Sequence, residues 1–186
     1  SQTLRASYQK SSQSNPRGDR KNEKFVQNLK WRETIMVEQN LISKNHRIRK
    51  LQDGEAVQSF NCGDTELNDF ILNKAADYKK SLLAVSYVLE DNGNPIAYFS
   101  LSNDNLSYEN FVDKSSFNRL NRSINNAKRM RNYPAMKIGR FAIDLTQRKK
   151  GLGSSLLDIV KYSLRNDPQS GCRFITVDAY NDAIAF

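Results

Sequence analysis

The sequence predicts an α/β fold in which a mixed central sheet is flanked by helices. Three observations carry this. Short stretches with period-two hydrophobicity are interleaved with stretches at helical spacing. One pair of strand candidates is joined by Asp91-Asn92-Gly93-Asn94, a tight hairpin signal. A later strand leads through a glycine-containing loop into an amphipathic helix, and that helix into another apolar strand.

The elements follow in order. Residues 1–24 are rich in Ser, Gln, Asn, Lys and Arg and bury too little surface to offset chain entropy, so disorder is expected. Phe25 to Ile35 carries Phe25, Val26, Leu29, Trp31 and Ile35 and is expected to form a short helix. Residues 1–40 are read as a basic polar extension and 41–186 as the folded domain. His46 to Leu51 is a first strand. Phe60 to Asp64 is a turn, and Asp64 or Thr65 caps a helix whose apolar face is Leu67, Phe70, Ile71 and Ala75. Leu82 to Glu90 and Pro95 to Leu101 are the two arms of the hairpin, with Ile96, Tyr98 and Ser100 on one face of the second. The polar stretch 103–132 holds a helix around Tyr108 to Arg119.

Met136 to Leu145 is the next strand, and its pattern slips. Met136 and Ile138 share one phase, while Phe141, Ile143 and Leu145 share the other. A one-residue slip predicts a bulge, which falls at Gly139 and Arg140. Leu152, Leu156, Leu157, Val160 and Leu164 then mark one helical face, ended by Asp167-Pro168. Arg173 to Ala179 is a buried strand, and Asn181 to Phe186 begins a helix.

Charge and composition limit the function classes. The net charge is +9, but residues 1–35 hold eight basic and three acidic residues, so more than half of the excess lies in the first fifth. The folded part is mildly basic. A recognised DNA-binding helix pair and an aromatic-interleaved basic motif are both absent. Arg119, Arg122, Lys128, Arg129 and Arg131 form a basic run with no acid, which reads either as a solvated face or as a contact for substrate or nucleic acid. Cys62 and Cys172 lie in no metal-binding or redox spacing and read as packing residues, and no metal site is expected. With neither a secretory signal nor an apolar run long enough for a membrane helix, the protein is expected to be soluble and cytoplasmic.

The motif with chemical content is Arg148-Lys149-Lys150-Gly151-Leu152-Gly153-Ser154, between a strand and a helix. Glycines let a backbone approach a ligand closely. The helix start turns N–H groups and a positive dipole end toward the loop, which suits a pyrophosphate. A P-loop would need Gly-Lys-Ser/Thr after four residues, and a dinucleotide fingerprint a third glycine where Leu156 stands.

Arg148-x-x-Gly151-x-Gly153 after a bulged strand resembles the acetyl-coenzyme A loop of the GNAT superfamily. Pro134-x-x-x-x-Gly139-Arg140-Phe141-Ala142-Ile143-Asp144 is similar to the central strand of the branch that includes toxin-type acetyltransferases. Phe60-Asn61-Cys62-Gly63 with the following helix resembles that branch's first helix, and Val177 to Tyr180 running into Ile184-Ala185-Phe186 its next strand and last core helix. The resemblance covers residues 44–186 and implies an N-acetyltransferase. Lys149, Lys150, Gly151, Leu152, Gly153 and Ser154 would hold the pyrophosphate of acetyl-CoA through their amides. Arg148 would add charge, and the backbone of Phe141, Ala142 and Ile143 would pair with the pantetheine arm. A primary amine would then attack the thioester directly. A sharper form is a toxin that acetylates aminoacyl-tRNA and is paired with an antitoxin. The resemblance places the family's acid, a tyrosine, immediately after Phe186, so the last core helix and the final strands are expected to be missing from this chain. No catalytic residue is assigned, although Tyr98 and Tyr180 are the first alternatives. The rival from another class is a non-enzymatic basic nucleic-acid-binding protein.

Overall fold

The computed structural model describes residues 22–28, 45–111, 113–124, 130–166 and 171–180, with the backbone alone at 22–28 and 178–180. The hairpin turn is as the sequence predicts. Asn92 and Gly93 both have positive φ, 50° and 82°, the twist a two-residue connection needs between strands. It joins β3 (Val85–Asp91) to β4 (Asn94–Ser107), and β2 (His46–Lys50) pairs antiparallel with β3 on the other side. β5 (Asn132–Ile143) and β6 (Phe174–Tyr180) are sheet neighbours, and the helix α4 (Leu152–Asn166) lies between them in the chain. The six strands lie in the order β1-β6-β5-β4-β3-β2, so the sheet is mixed.

β1 (Asn22–Asn28) corrects two expectations. Asn22 to Lys24 are expected to be disordered and Phe25 to Asn28 helical, yet all seven residues pair antiparallel with β6, from Asn22 opposite Tyr180 to Asn28 opposite Phe174. Strand preference is set largely by the neighbour a segment finds, and β6 offers an apolar partner, Phe-Ile-Thr-Val. The rest of the predicted helix and residues 1–21 lie outside the described residues, as do 181–186.

The chain divides into two compact units, one made of 1–31, 103–137 and 168–186, the other of 32–102 and 138–167. In the first, α3 (Lys114–Arg122) is capped by Asp113, whose carboxylate accepts from the Ser115 and Ser116 amides. The expected helix around Tyr108 to Arg119 is thus a 3₁₀ turn, Tyr108–Asn110, followed by α3. Phe117 on α3 meets Tyr108 and Phe111 edge-on, and Tyr133 meets Phe174 likewise, around a core with Leu106 and Ala135.

In the second unit, Asp64 caps α1 (Thr65–Asp69) through the Glu66 and Leu67 amides, as its position predicts. A π turn, Phe70–Lys74, follows, closed by the Ala75 N–H donating to the Phe70 carbonyl, and α2 (Ala75–Lys80) continues it. The extra residue turns Phe70, Ile71 and Ala75 together into a core with Leu51, Val88, Tyr98 and Ala142. Beyond α2 the chain does not enter the strand at once. Leu82 has φ 56°, Leu82 and Leu83 are exposed, and β3 begins at Val85. Of the stripe that the spacing predicts, α4 buries Leu152, Leu156 and Val160, with Gly153 beside them, and leaves Leu157 and Leu164 half-buried.

Candidate functional site

The site candidates of the sequence lie in the second unit and follow one another along β5, a connecting loop and the start of α4. Phe141, Ala142 and Ile143 are the last residues of β5, with Ala142 buried in the core and its neighbours half-buried. The alternation of β5 slips where the sequence places the slip. An atom at the Cβ position of Gly139 would lie 3.7 Å from Ser100 Oγ. The next residue, Arg140, lays its guanidinium 3.7 Å from the centre of the Phe70 ring, and 5.0 Å from that of Tyr78. Phe70 stacks on Tyr98, which shares the face of Ser100 two residues away, so Gly139 and Arg140 turn to the same side.

Asp144 follows β5 and organises the turn into the loop. Its carboxylate accepts from the Thr146 amide and hydroxyl and from the Asn61 amide. Burial pushes its pKa up, but these hydrogen bonds outweigh burial and hold it below the usual carboxylate range. The Leu145 amide in turn donates to the Asn61 carbonyl at 2.9 Å. Asn61 Oδ1 also accepts from the Gly63 amide and from Asn68 Nδ2, so the 60–63 turn, the first helix and the loop are tied together.

The loop itself has two residues in the left-handed region, Lys149 at φ 61° and Gly151 at φ 73°. Gly151 is needed for this conformation rather than for lack of room, since a Cβ there would meet no atom within 4 Å. The open space above Gly151 fits the close approach of a ligand to the backbone. The first helical bond of α4 runs from the Ser155 amide to the Gly151 carbonyl. The amides of Leu152, Gly153 and Ser154 precede it, and those are the donors a helix start leaves for other partners. Arg148 donates from its guanidinium to the Cys62 carbonyl, which fastens the loop to the 60–63 turn. Lys150 Nζ donates to Gln147 Oε1 at 3.1 Å, and Lys149 is exposed. An open cleft of about 600 Å³ adjoins this region, lined among others by Phe60, Asn61, Ile96, Asp144, Thr146 and Gln147.

The alternative acids and nucleophiles fare differently. Tyr98 is fully buried, its hydroxyl donates to the Leu67 carbonyl at 2.7 Å, and burial pushes its pKa far up. It is a core residue. Tyr180 closes β6 and only its backbone is described. Cys62 is buried with Sγ 3.2 Å from Asn68 Oδ1, and burial pushes the Cys172 thiol up, away from thiolate. Among the described residues no group of three or more His, Cys, Asp or Glu could hold a metal ion, and no helix is long and apolar enough to cross a membrane. Sequence reasoning missed the tie between Arg148 and Cys62. It placed Ser100 on the face of Tyr98 but missed its partner there, Ser86, which makes two buried hydroxyls; the signal was a serine in each arm of an otherwise apolar hairpin.

No protein-family model matches the chain, and no curated protein matches it. Solved structures do. A point mutant of KacT matches with TM-score 0.56 at 19% identity, over 72% of this chain and 78% of that one. A point mutant of the AtaT toxin matches with TM-score 0.56 at 22% identity, over 76% and 77%. AtaTR bound with AcCoA matches with TM-score 0.54 at 22% identity, over 74% and 78%. With its mixed sheet, slipped central strand and strand–loop–helix turn, the chain shares the fold of KacT and the AtaT toxin.

Proposed function

We propose that the chain is an N-acetyltransferase that moves the acetyl group of acetyl-CoA to a primary amine. The observation that carries this reading is the Lys149–Ser154 turn, where two left-handed residues and the start of α4 gather backbone amides beneath open space. Those amides would hold the pyrophosphate, with Lys149 and Lys150 adding positive charge. Arg148 contributes by fastening the loop to the Cys62 carbonyl as much as by its charge. The backbone of Phe141, Ala142 and Ile143 would take the pantetheine arm as an added strand. In the transfer an N–C bond forms, the C–S bond breaks, the amine gives up a proton and the departing thiolate takes one. The fold of AtaTR bound with AcCoA supports the choice of cofactor.

The test is calorimetric. Acetyl-CoA should bind the wild-type protein, and Gly151→Val should abolish binding while circular dichroism shows the fold intact. Equal affinity in a folded variant would overturn the reading. It would also turn attention to a basic nucleic-acid-binding protein without enzymatic role, which binds in a salt-dependent way and ignores acetyl-CoA.

The finer reading is a cytoplasmic toxin that acetylates aminoacyl-tRNA and is held by an antitoxin. Its support is the likeness to AtaT and KacT, among them an AtaT-AtaR complex bound to DNA at TM-score 0.51. Arg119, Arg122 and Arg131 are exposed in the first unit and suit a phosphate backbone. Lys128 and Arg129 of the same run lie outside the described residues. Replacing Arg119 and Arg122 by Glu should weaken tRNA binding at low salt and flatten its salt dependence. Unchanged binding would remove tRNA from the proposal and leave the acetyltransferase reading standing.

A further inference from the structure

Ser86 and Ser100 stand directly opposite each other across β3 and β4. Each is 1% exposed, and neither hydroxyl has a hydrogen-bond partner among the described residues. The next pair on the same face is Val88 and Tyr98, both in an apolar cluster. A buried hydroxyl left unpaired costs on the order of 1–3 kcal/mol, so two side by side are a considerable sacrifice of stability in a core that alanine would fill more favourably. A third residue completes the group. Gly139 of β5 has no side chain, and an atom at its Cβ position would lie 3.7 Å from Ser100 Oγ and within 4 Å of nothing else beyond its chain neighbours. The missing side chain leaves room for one heavy atom beside Ser100 Oγ, the member of the hydroxyl pair nearer to β5.

We propose that Ser86, Ser100 and Gly139 form the subsite that receives the nitrogen of the acceptor amine. The proposal rests on the reading of the chain as an acetyltransferase with acetyl-CoA along Phe141–Ile143, the residues that follow Gly139 and Arg140 in β5. A primary amine brings two N–H donors and one lone pair. Two serine oxygens on neighbouring strands accept the two N–H groups and leave the lone pair free to attack the acetyl carbon. Neutral hydroxyls do this without the grip that a carboxylate would have on the unreactive ammonium form. The slip of β5 at Gly139 and Arg140 serves the same end, because it brings a residue without a side chain to the face of Ser100. These are positioning residues, and no proton is assigned to them.

The experiment compares the wild-type chain with Ser86→Ala, Ser100→Ala and the double variant. It uses three readouts: thermal unfolding without ligand, calorimetry with acetyl-CoA, and calorimetry with glycinamide titrated into the coenzyme A-saturated protein. The last requires no turnover. The double variant should unfold at a higher temperature, bind acetyl-CoA as the wild type does, and bind glycinamide about tenfold more weakly, the size expected for one or two net hydrogen bonds. Steady-state transfer to glycinamide should show the same loss in KM. A double variant that melts at lower temperature and binds glycinamide unchanged would show that the hydroxyls serve the fold, through a bound water for instance, and would overturn the proposal. If the wild-type chain binds no acetyl-CoA, the reading beneath the proposal fails and this subsite falls with it.

Discussion

Leu82 shows at the residue scale how far local strain is tolerated here. It follows the last turn of α2 with φ 56°, a position where glycine is the usual occupant, and its side chain is 93% exposed. A bulky residue in the left-handed region gains nothing from this exposure. Leu82→Gly should therefore raise stability by about 0.5–1 kcal/mol, read as a shift of the denaturant midpoint at constant slope. A drop would mean that Leu82 has a packing partner that its exposure hides. Asp144 is the opposite case, a small side chain on which three hydrogen bonds converge. Asp144→Ala should cost roughly 1–3 kcal/mol. Its folded pKa lies below the ordinary value, so its contribution is present above the usual carboxylate range and fades as the pH falls through the lowered folded value. The wild-type protein should lose stability over that acid window faster than the Asp144→Ala variant, and parallel pH profiles would show that the carboxylate is not the linked group.

At the scale of elements, the π turn and the slipped strand act as a pair. The π turn brings Phe70 into line between Tyr98 and Arg140, and the slip turns Arg140 toward it. A double-mutant cycle with Arg140→Ala and Phe70→Leu should give a coupling energy of about 1 kcal/mol, the size of a partly shielded cation–π contact. Zero coupling would reduce the arrangement to proximity. Only half of this pair was legible beforehand. The slip shows in the phase of Met136 and Ile138 against Phe141 and Ile143, because backbone alternation is a local property. The π turn leaves no trace in a face of Leu67, Phe70, Ile71 and Ala75 that fits an ordinary α-helix equally well. It is the core beneath, with Tyr98 reaching up to the Leu67 carbonyl, that selects the wider turn. The loop divides in the same way. Its glycines and basic residues announce an anion site, but the engagement of Arg148 with a carbonyl 86 residues away in sequence is a tertiary fact.

On the scale of the whole molecule, the N-terminal strand is the feature that composition concealed. Lys-Asn-Glu-Lys-Phe-Val-Gln-Asn has neither alternation nor a turn signal, and the neighbour that makes Asn22–Asn28 a strand is 146 or more residues further along the chain. What it contributes can be weighed. Each backbone bond to β6 is worth a net of roughly 0.5–1.5 kcal/mol, while fixing each residue of β1 costs about 1–2 kcal/mol of chain entropy. The two nearly cancel, so deletion of residues 1–28 should move the thermal midpoint by only a few degrees. The edge that deletion uncovers is another matter. β6 carries Phe174, Ile175 and Thr176 buried in the sheet, and an unpaired edge of that kind invites pairing between chains. The shortened protein should therefore keep its melting temperature at low concentration yet scatter light increasingly as concentration rises, and restoring residues 22–28 alone should abolish the effect. A fall of ten degrees or more would show that the side chains of β1 pack on the domain, and a shortened protein that stays monodisperse would show that the β6 edge is guarded by something other than β1.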